Sequence, residues 1–386
     1  MSEIRPLRII SIAHPAVSSE AGRLRYPFLA AKRDVELHLV LPAVWKEFGR
    51  TIVAEPPTAT GFSVHVLPIR LPQAGPMNWY LHFYPGLRRL LRELDPDVIH
   101  LWEEPWSIVA LQAQLLKGRA GLVLEVDQNI LRRLPPPFEA IRKFVLRHTD
   151  HVLSRSPDAT MVVRARSYHG PVTPIGYGVD PSTFTPASCP AASSHSDTFR
   201  IGYVGRLIEE KGLDEALDAM ALSGAPVNFS IMGEGPYEAK LRGRVAALGL
   251  SERVTFRGWG QPADVADFIR GLDALVLLTR TTKAVREQFG RVIIEAQACG
   301  VPVIGSTCGA IPDVVGDGGW IVRERDARAL GELLNKIADD AALVRVKGRA
   351  ARENVEARFT YEAVATAIET ACRAAAETMR GPRTAL

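Results

Sequence analysis

The chain has little of what marks membrane-spanning, secreted or metal-dependent proteins. Its apolar runs all fall short of the about 18 residues that a membrane-spanning helix needs. The four cysteines show no CxxC spacing, which argues against a zinc site or a disulfide framework and fits a reducing cytoplasm. Met1 to Arg8 contain no long apolar core, so we expect no signal peptide. No HExxH motif is present.

Charge and composition indicate an ordinary globular enzyme. The net charge is only +4, so no strong field for nucleic acid or lipid follows, and we expect no nucleic-acid partner. Apolar residues make up 47% and charged residues 23% of the chain, as in soluble enzymes. A length of 386 residues is enough for two domains with separate cores.

The first half alternates short β-rich apolar runs with longer amphipathic stretches. Strands are predicted at 8–13, 35–42, 63–69, 97–102, 121–127, 151–156 and 173–175. Helices are predicted near 23–31, 79–94, 106–117, 138–148 and 157–168. This alternation predicts a parallel sheet with helices on both faces.

The same pattern restarts after a segment rich in Pro, Ser and Ala, residues 181–198, which suits a linker. Strands are predicted at 199–204, 227–232, 254–258, 274–279 and 302–305. Helices are predicted near 211–221, 236–248, 263–271, 290–299, 326–338, 341–357 and 361–379. We therefore expect an α/β protein of two doubly wound Rossmann-like domains facing each other across a cleft. Ligands of such sheets bind beyond the carboxyl ends of the strands.

Two glutamates with seven residues between them, Glu287 and Glu295, are the most informative feature. Residues 290–299 predict a short buried helix that Gly300 ends, and Gly290 leaves backbone N–H groups that can face an anion. Glu287 precedes this helix and Glu295 lies inside it. Because a bare carboxylate is costly to bury in an apolar run, Glu295 suggests a ligand rather than a solvated helix face.

Three loops after predicted strands of the second half carry further candidates. In residues 205–212, Arg206 offers a fork for phosphate oxygens and Lys211 a mobile point charge. The glycines in residues 232–236 and 257–261 let the backbone approach a ligand. Taken singly, each loop is as well explained by a solvated helix start or an ordinary turn.

Taken together and in this order, these motifs resemble the family-4 retaining glycosyltransferases (glycosyl transferases group 1). The similar segments include 204–207, 211–212, 232–236, 287–295, 298–306 and 309–315, with the inter-domain hinge of the family at 175–186. The resemblance implies a GT-B fold, retention of anomeric configuration and no essential metal or other cofactor. A nucleotide-diphosphate sugar, UDP- or GDP-linked, is the implied co-substrate.

The resemblance also assigns site residues and domains. In the family the first glutamate holds the transferred sugar and the second the donor ribose. The implied donor-binding residues are Gly205, Arg206, Lys211, Gly233, Gly258, Glu287, Phe289, Gly290, Arg291, Val292 and Glu295. The expected domains are an acceptor domain at 1–180, a linker at 181–198 and a donor domain at 199–357, with a helix in 358–386 packing back on the first. Arg206, Lys211 and Glu287 are the expected catalytic residues on the donor side.

The first half departs from the family in two places. Residues 14–23 replace a Gly-Gly pair, and 125–129 stand where many relatives carry a histidine. Asp127 and His100 are the candidate catalytic residues here, although a lone histidine near a strand end is more often structural. The acceptor hydroxyl is expected near a polar cluster made of Glu103, Glu104, Asp127, Gln128 and Asn129.

Arginine-rich stretches in the first half leave the location open between two alternatives. Residues 85–93 and 132–147 mix basic and apolar side chains, which can pack on the sheet of the domain itself or lie on anionic lipid. We expect a cytoplasmic protein, with peripheral membrane contact as the second alternative.

The expected activity is transfer of a sugar from a nucleotide-diphosphate sugar to a glycan, lipid-linked or small-molecule acceptor. A sugar-phosphate synthase of the same fold and a catalytically weak nucleotide-sugar-binding module are the alternatives.

Overall fold

The computed structural model describes residues 5–19, 22–47, 50–55, 61–70, 78–187 and 198–380. The chain forms two compact units, Met1–Gly176 with Tyr361–Leu386, and Tyr177–Thr360. Of the predicted linker, residues 181–187 lie in the second unit, while 188–197, which include Cys189, lie outside the described residues. The described cysteines are buried free thiols.

A parallel sheet forms the centre of the first unit. Its strands are β1 (Leu7–Ala13), β2 (Val35–Pro42), β5 (Ser63–Leu67), β6 (Val98–Trp102), β7 (Gly121–Val126), β8 (His151–Ser154) and β9 (Val172–Pro174), in the order β5-β2-β1-β6-β7-β8-β9, and β3 (Val44–Glu47) and β4 (Arg50–Val53) lie apart from it. On β1, Ile9 pairs with Leu37 on one side and Val98 on the other. Its isoleucines are fully buried, as the near-continuous apolar run of a parallel strand requires.

The sequence pattern did not predict the hairpin of β3 and β4. Val44 pairs with Val53 in antiparallel register, and the Trp45 side chain is buried. Since Trp45 is the buried apolar side chain of this hairpin and no alternating buried face accompanies it in the described residues, the sequence carries no period-2 signal.

Helices of the first unit follow the predicted positions. They are α1 (Tyr26–Ala30), α2 (Asn78–Leu81), α3 (Leu87–Leu94), α4 (Ile108–Leu116), α5 (Phe138–Arg147) and α6 (Pro157–Arg164). Ser107 and Ser156 cap α4 and α6 by accepting hydrogen bonds from backbone N–H groups of the first turn. The single helix predicted over 79–94 is two helices, because Pro85 and Gly86 interrupt it.

The second unit repeats the parallel sheet. Its strands are β10 (Phe199–Val204), β11 (Val227–Met232), β12 (Val254–Arg257), β13 (Ala274–Leu277), β14 (Val303–Ser306) and β15 (Gly319–Val322), in the order β12-β11-β10-β13-β14-β15. Its helices are α7 (Leu213–Leu222), α8 (Glu238–Ala247), α9 (Pro262–Arg270), α10 (Arg291–Ala298), α11 (Ile311–Val315), α12 (Ala327–Ala338) and α13 (Ala341–Arg358). The sequence did not predict α11 and β15, because one is barely a turn long and glycines surround the start of the other.

The last helix, α14 (Tyr361–Arg380), belongs to the first unit. It packs against β7, β8 and α1, and its buried face combines Val364 and Ile368 with smaller side chains such as Ala371. Lys32, two residues beyond α1, forms an ion pair of 2.6 Å with Glu362.

The arginine-rich helix α5 packs its apolar side on its own sheet. Phe138, Ile141, Val145 and Leu146 are buried in the core of the first unit. This burial favours the packing alternative over lipid contact for residues 138–147. Within the described ranges, no helix combines the length and the apolarity that crossing a membrane requires.

A substitution at Gly233 tests how closely the loops after β10 and β11 pack against each other. Gly233 has a φ of 139°, and a Cβ there would overlap the carbonyl oxygen of Gly205. We expect Gly233→Ala to lower the free energy of unfolding by about 1–3 kcal/mol, measured by urea denaturation. Gly243→Ala is the matched control, because exposed Gly243 lies in α8 with open space around its Cα. That control should stabilise the protein by about 0.5–1 kcal/mol. Equal effects of the two changes would contradict this packing.

Candidate active site

The donor-side candidates lie along one edge of the second sheet. Residues 205–212 follow β10, 233–237 follow β11, 258–261 follow β12 and 278–290 follow β13. Because the strands are parallel, their carboxyl ends share this edge. Motifs that are far apart in the sequence therefore lie on neighbouring loops along one edge of the sheet.

An ion pair between Lys211 and Glu287 lies at the centre of this edge. The Lys211 Nζ atom is 2.6 Å from the Glu287 Oε2 atom, and both side chains are largely buried. The Thr279 hydroxyl donates to the same carboxylate oxygen at 2.8 Å and lies 3.4 Å from the Lys211 Nζ atom. In the described part of the chain the ammonium group uses two of its three protons in these contacts, which leaves one for a ligand.

The loop that carries Glu287 is fixed at its backbone. The Glu287 N–H donates to the Cys308 sulfur at 3.4 Å, and its carbonyl accepts a hydrogen bond of 3.0 Å from Ala310. The Ser306 hydroxyl donates to the Thr279 carbonyl at 2.6 Å. Sequence reasoning missed Thr279, Ser306 and Cys308. Thr279 and Ser306 carried a usable signal, since each is a polar residue at or just beyond the end of a buried strand.

Arg206 lies on the same edge, at the exposed end of the β10 loop. The Tyr203 hydroxyl donates to the Arg206 carbonyl at 2.9 Å. Burial raises the pKa of Tyr203, the charge of Glu287 raises it further, and the charge of Arg206 lowers it. Both charged groups therefore lie near this one hydroxyl, which brings the predicted cations and the first glutamate together.

Helix α10 is preceded by its N-cap residue Gly290, which has left-handed backbone angles (φ 81°). Since glycine has no side chain, the N-cap residue itself supplies no side-chain acceptor to the first turn, which suits a helix start that faces an anion. Glu295 is half-buried one turn further on. Burial raises the pKa of its carboxyl group, and the charge of Arg291 lowers it. The Glu295 carboxylate accepts no hydrogen bond from the described residues, so its hydrogen-bonding capacity is available to a ligand.

The remaining predicted donor residues differ in what they expose. The Phe289 ring is buried between Tyr177 and Phe359, with ring centroids 5.2 and 5.4 Å away, so only its backbone can meet a ligand. Val292 is half-buried and Gly233 is buried, whereas Gly258 is exposed beyond the end of β12.

The two acceptor-side candidates are placed differently, with Asp127 just after the end of β7 and His100 inside β6. The Asp127 carboxylate pairs with Arg155 at 2.9 Å. His100 is fully buried, with its Nδ1 atom 2.8 Å from the Ser11 hydroxyl and its Nε2 atom 3.1 Å from the Glu125 carboxylate. Burial, together with the charges of Arg25 and Arg155, holds the pKa of His100 well below its usual range. These contacts favour the structural alternative for His100.

Sequence reasoning missed the buried ion cluster around Glu125. The Glu125 carboxylate pairs with Arg25 at 2.9 Å and also with Arg155. The Trp102 ring lies 3.4 Å below the Arg25 guanidinium. Buried charges need such partners, and the pairing was invisible because the residues are far apart in sequence.

Glu103 and Glu104 are neighbours with opposite environments. Burial would raise the pKa of Glu103, but the charges and hydrogen bonds of His14 and His82 outweigh it and hold the pKa at about 2. Burial and the charge of Asp127 raise the pKa of Glu104 to about 8, although its Oε1 atom accepts two backbone N–H groups at 2.9 Å. The Glu104 Oε2 atom is buried and accepts no hydrogen bond from the described residues.

Comparison with protein-family models identifies the family. The Glycosyltransferase Family 4 model matches residues 29–183, and the Glycosyl transferases group 1 model matches residues 190–354. This chain belongs to the group 1 glycosyltransferases of family 4. The predicted family membership is confirmed.

The curated relatives of this family member match only part of the chain. A GDP-mannose-dependent monoacylated alpha-(1-6)-phosphatidylinositol monomannoside mannosyltransferase of Corynebacterium glutamicum is 34% identical, over 48% of this chain and 51% of the relative. An N-acetyl-alpha-D-glucosaminyl L-malate synthase of Bacillus anthracis is 33% identical, over 44% of this chain and 43% of the relative. The chain therefore spans about half the length of these curated relatives.

Solved structures support the fold over nearly the whole glycosyltransferase chain. A sucrose-phosphate synthase of Thermosynechococcus elongatus superposes with a TM-score of 0.69 at 22% identity, covering 95% of this chain and 98% of the other. The Anabaena protein HepE in complex with UDP gives a TM-score of 0.68 at 18% identity, covering 95% and 98%. The predicted α/β, GT-B-type fold of two Rossmann-like domains is confirmed.

We expect Glu104 to make the stability of this protein depend on pH. Its folded pKa of about 8 lies above the ordinary value of about 4.3, so the folded state keeps a proton that the unfolded state loses. Relative to Glu104→Gln, the wild type should therefore lose stability as pH rises from about 5 to 8. Urea denaturation of both proteins across this range measures the difference. The control is Glu332→Gln, at an exposed position, whose free energy of unfolding should follow that of the wild type at every pH. A difference between wild type and Glu104→Gln that stays constant with pH would contradict the raised pKa of Glu104.

Proposed function

We propose that this chain is a retaining glycosyltransferase that moves a sugar from a nucleotide-diphosphate donor to an acceptor hydroxyl. The observation that carries the proposal is the Lys211–Thr279–Glu287 cluster beside the start of α10. It combines a cation for a diphosphate with a fixed carboxylate for a sugar hydroxyl. We assign donor binding to the second unit and acceptor binding to the first.

The diphosphate of the donor would bind where positive charge is already concentrated. Lys211, Arg206 and the N-terminus of α10 share the carboxyl edge of the second sheet. Negative charge on the departing diphosphate grows as the glycosidic bond breaks. Cations and N–H groups fixed in advance stabilise this charge without reorganising at the moment of reaction.

The two glutamates would orient the donor. Glu287 is held by Lys211 and Thr279, so its carboxylate has one fixed direction in which to accept hydroxyl protons of the transferred sugar. Glu295 lies eight residues after Glu287, in the second turn of α10, and its carboxylate can accept two ribose hydroxyls. Orientation of this kind supplies much of the rate when no covalent step by the protein is needed.

The acceptor proton would pass to the departing phosphate. Asp127 is paired with Arg155, and His100 is buried between Ser11 and Glu125, so neither has the setting of a free general base. An acceptor that attacks from the face which the diphosphate leaves keeps the anomeric configuration. The acceptor oxygen then bonds to the anomeric carbon as the bond between that carbon and the phosphate oxygen breaks. The acceptor proton goes to the departing phosphate oxygen.

The experiment that tests the function is nucleotide release from a panel of donors and acceptors. The names of relatives include a GDP-mannose-dependent enzyme, and the Anabaena structure holds UDP, so both UDP- and GDP-sugars belong in the panel. Glycans, polyols and sugar phosphates serve as acceptors. Acceptor-dependent release with retention supports the proposal, and release only with sugar phosphates supports a synthase. Tight nucleotide binding without release supports a binding module.

Glu295→Ala should weaken binding of the free nucleotide. Loss of hydrogen bonds from two ribose hydroxyls to a charged acceptor costs about 1.5–3 kcal/mol, or about 10- to 150-fold in affinity. Isothermal titration calorimetry with the preferred nucleoside diphosphate measures this loss. Glu332→Gln, on the exposed face of α12, is the control. Unchanged affinity in a folded Glu295→Ala protein removes Glu295 from the ribose role.

Lys211→Ala should reduce turnover more than donor affinity, because diphosphate charge grows toward the transition state. The change also leaves Glu287 as an uncompensated negative charge beside the donor. We expect a loss of about 100-fold in kcat. Steady-state kinetics with the best donor measure it, and Lys336→Ala on exposed α12 controls for net charge. Near-normal kcat in Lys211→Ala would refute the assignment to the leaving group.

A further inference from the structure

Two histidines and one glutamate converge in the first unit from three distant parts of the chain. His14 opens the turn after β1, His82 follows α2, and Glu103 follows β6. One nitrogen of each imidazole and one carboxylate oxygen lie within 4.8 Å of one another. The proposed donor chemistry of the second unit uses none of these groups.

The carboxylate of Glu103 organises the cluster. Its Oε2 atom is 2.7 Å from the Nδ1 atom of His14, and its Oε1 atom is 3.6 Å from the Nε2 atom of His82. The backbone N–H of His14 also donates to the Oε1 atom, at 2.9 Å. Glu103 was expected to position an acceptor hydroxyl, but these contacts turn it toward the two histidines instead.

We propose that His14, His82 and Glu103 form a binding site for a divalent transition-metal ion of the Zn²⁺ type. Two neutral imidazoles and one carboxylate are a donor set that Zn²⁺ accepts in proteins, with a fourth position left to water. Metal–ligand bonds of about 2.0–2.2 Å place tetrahedral donors about 3.3–3.5 Å apart. The observed separations, 2.7 Å from the Oε2 atom to His14 and 3.6 Å from the Oε1 atom to His82, lie on either side of this value.

Among the described residues, an aromatic side chain packs on both imidazoles and His14 is the most exposed of the three ligands. The Trp45 ring lies 4.5 Å from the His14 ring and 4.9 Å from the His82 ring, measured between centroids. Such apolar walls exclude water and hold imidazoles in one orientation. The side chains of His82 and Glu103 are 0% and 1% exposed, whereas that of His14 is 15% exposed. The ion would therefore enter, and keep its water, on the His14 side.

A second cluster of the same residue types provides an internal control. His38 contacts His65 through its Nδ1 atom at 3.1 Å and Glu36 through its Nε2 atom at 3.0 Å. Since the two ring nitrogens point in opposite directions, His38 cannot direct both neighbours at one ion. This cluster has the composition of a metal site without its geometry.

Metal titration of the 386-residue chain tests the proposal. Protein stripped with a chelator and exchanged into chelator-free buffer is titrated with Zn²⁺ against a chromophoric competitor. The visible spectrum with Co²⁺ reports a tetrahedral site. We expect one equivalent bound by the wild type and by His65→Ala. His14→Ala and Glu103→Gln should each lose more than about 100-fold in affinity, beyond the 10–100-fold that outer partners of a metal site typically contribute.

Thermal melting separates a lost ligand from a lost fold. Zn²⁺ should raise the melting temperature of the wild type and of His65→Ala, but not that of His14→Ala. His14 is partly exposed at a turn, so His14→Ala should fold even where Glu103→Gln does not. The absence of a one-equivalent site in the wild type would show a hydrogen-bonded His–Glu–His group only, and would overturn the proposal. Retained binding in His14→Ala, or lost binding in His65→Ala, would overturn it equally.

Discussion

The ion pair between Lys211 and Glu287 is the interaction on which the proposed site depends. A largely buried carboxylate needs a partner, and here it has an ammonium at 2.6 Å and a threonine hydroxyl at 2.8 Å. These contacts join the loop after β10 to the loop after β13. The pair therefore fixes the distance between the cation proposed for the diphosphate and the carboxylate proposed for the sugar.

The sheet makes this pair possible. Parallel strands bring all their carboxyl ends to one edge, where polar groups of neighbouring loops form hydrogen bonds with one another. Thr279, Ser306 and Cys308 form a continuous series of hydrogen bonds behind Glu287. Glu295 is different, because the described residues leave its carboxylate without a hydrogen bond. A ligand would supply the hydrogen-bond donors that the protein does not, and this distinguishes a binding site from a structural hydrogen-bond network.

Local signals in the sequence were sufficient for most of the fold and for the donor side. The apolar spacing of α10, its glycine at the start and its two glutamates are all contained in residues 287–300, so the helix and its charged residues could be predicted. Lys211 could be predicted to lie in the same site as Glu287, but not to form an ion pair with it. No local pattern encodes a contact between residues 76 positions apart. The same holds for His14, His82 and Glu103. Elements that bury one large side chain instead of an alternating apolar face, such as the hairpin with Trp45, leave no periodic signal in the sequence.

Hydrogen–deuterium exchange with and without a nucleoside diphosphate tests the central claim, that the carboxyl edge of the second sheet binds the donor. The account predicts slower exchange in residues 205–212 and 287–295 when nucleotide is bound. Loops at the opposite edge, residues 223–226 and 249–253, should exchange at unchanged rates. Protection confined to the opposite edge, or absent from both edges at saturating nucleotide, would contradict the account.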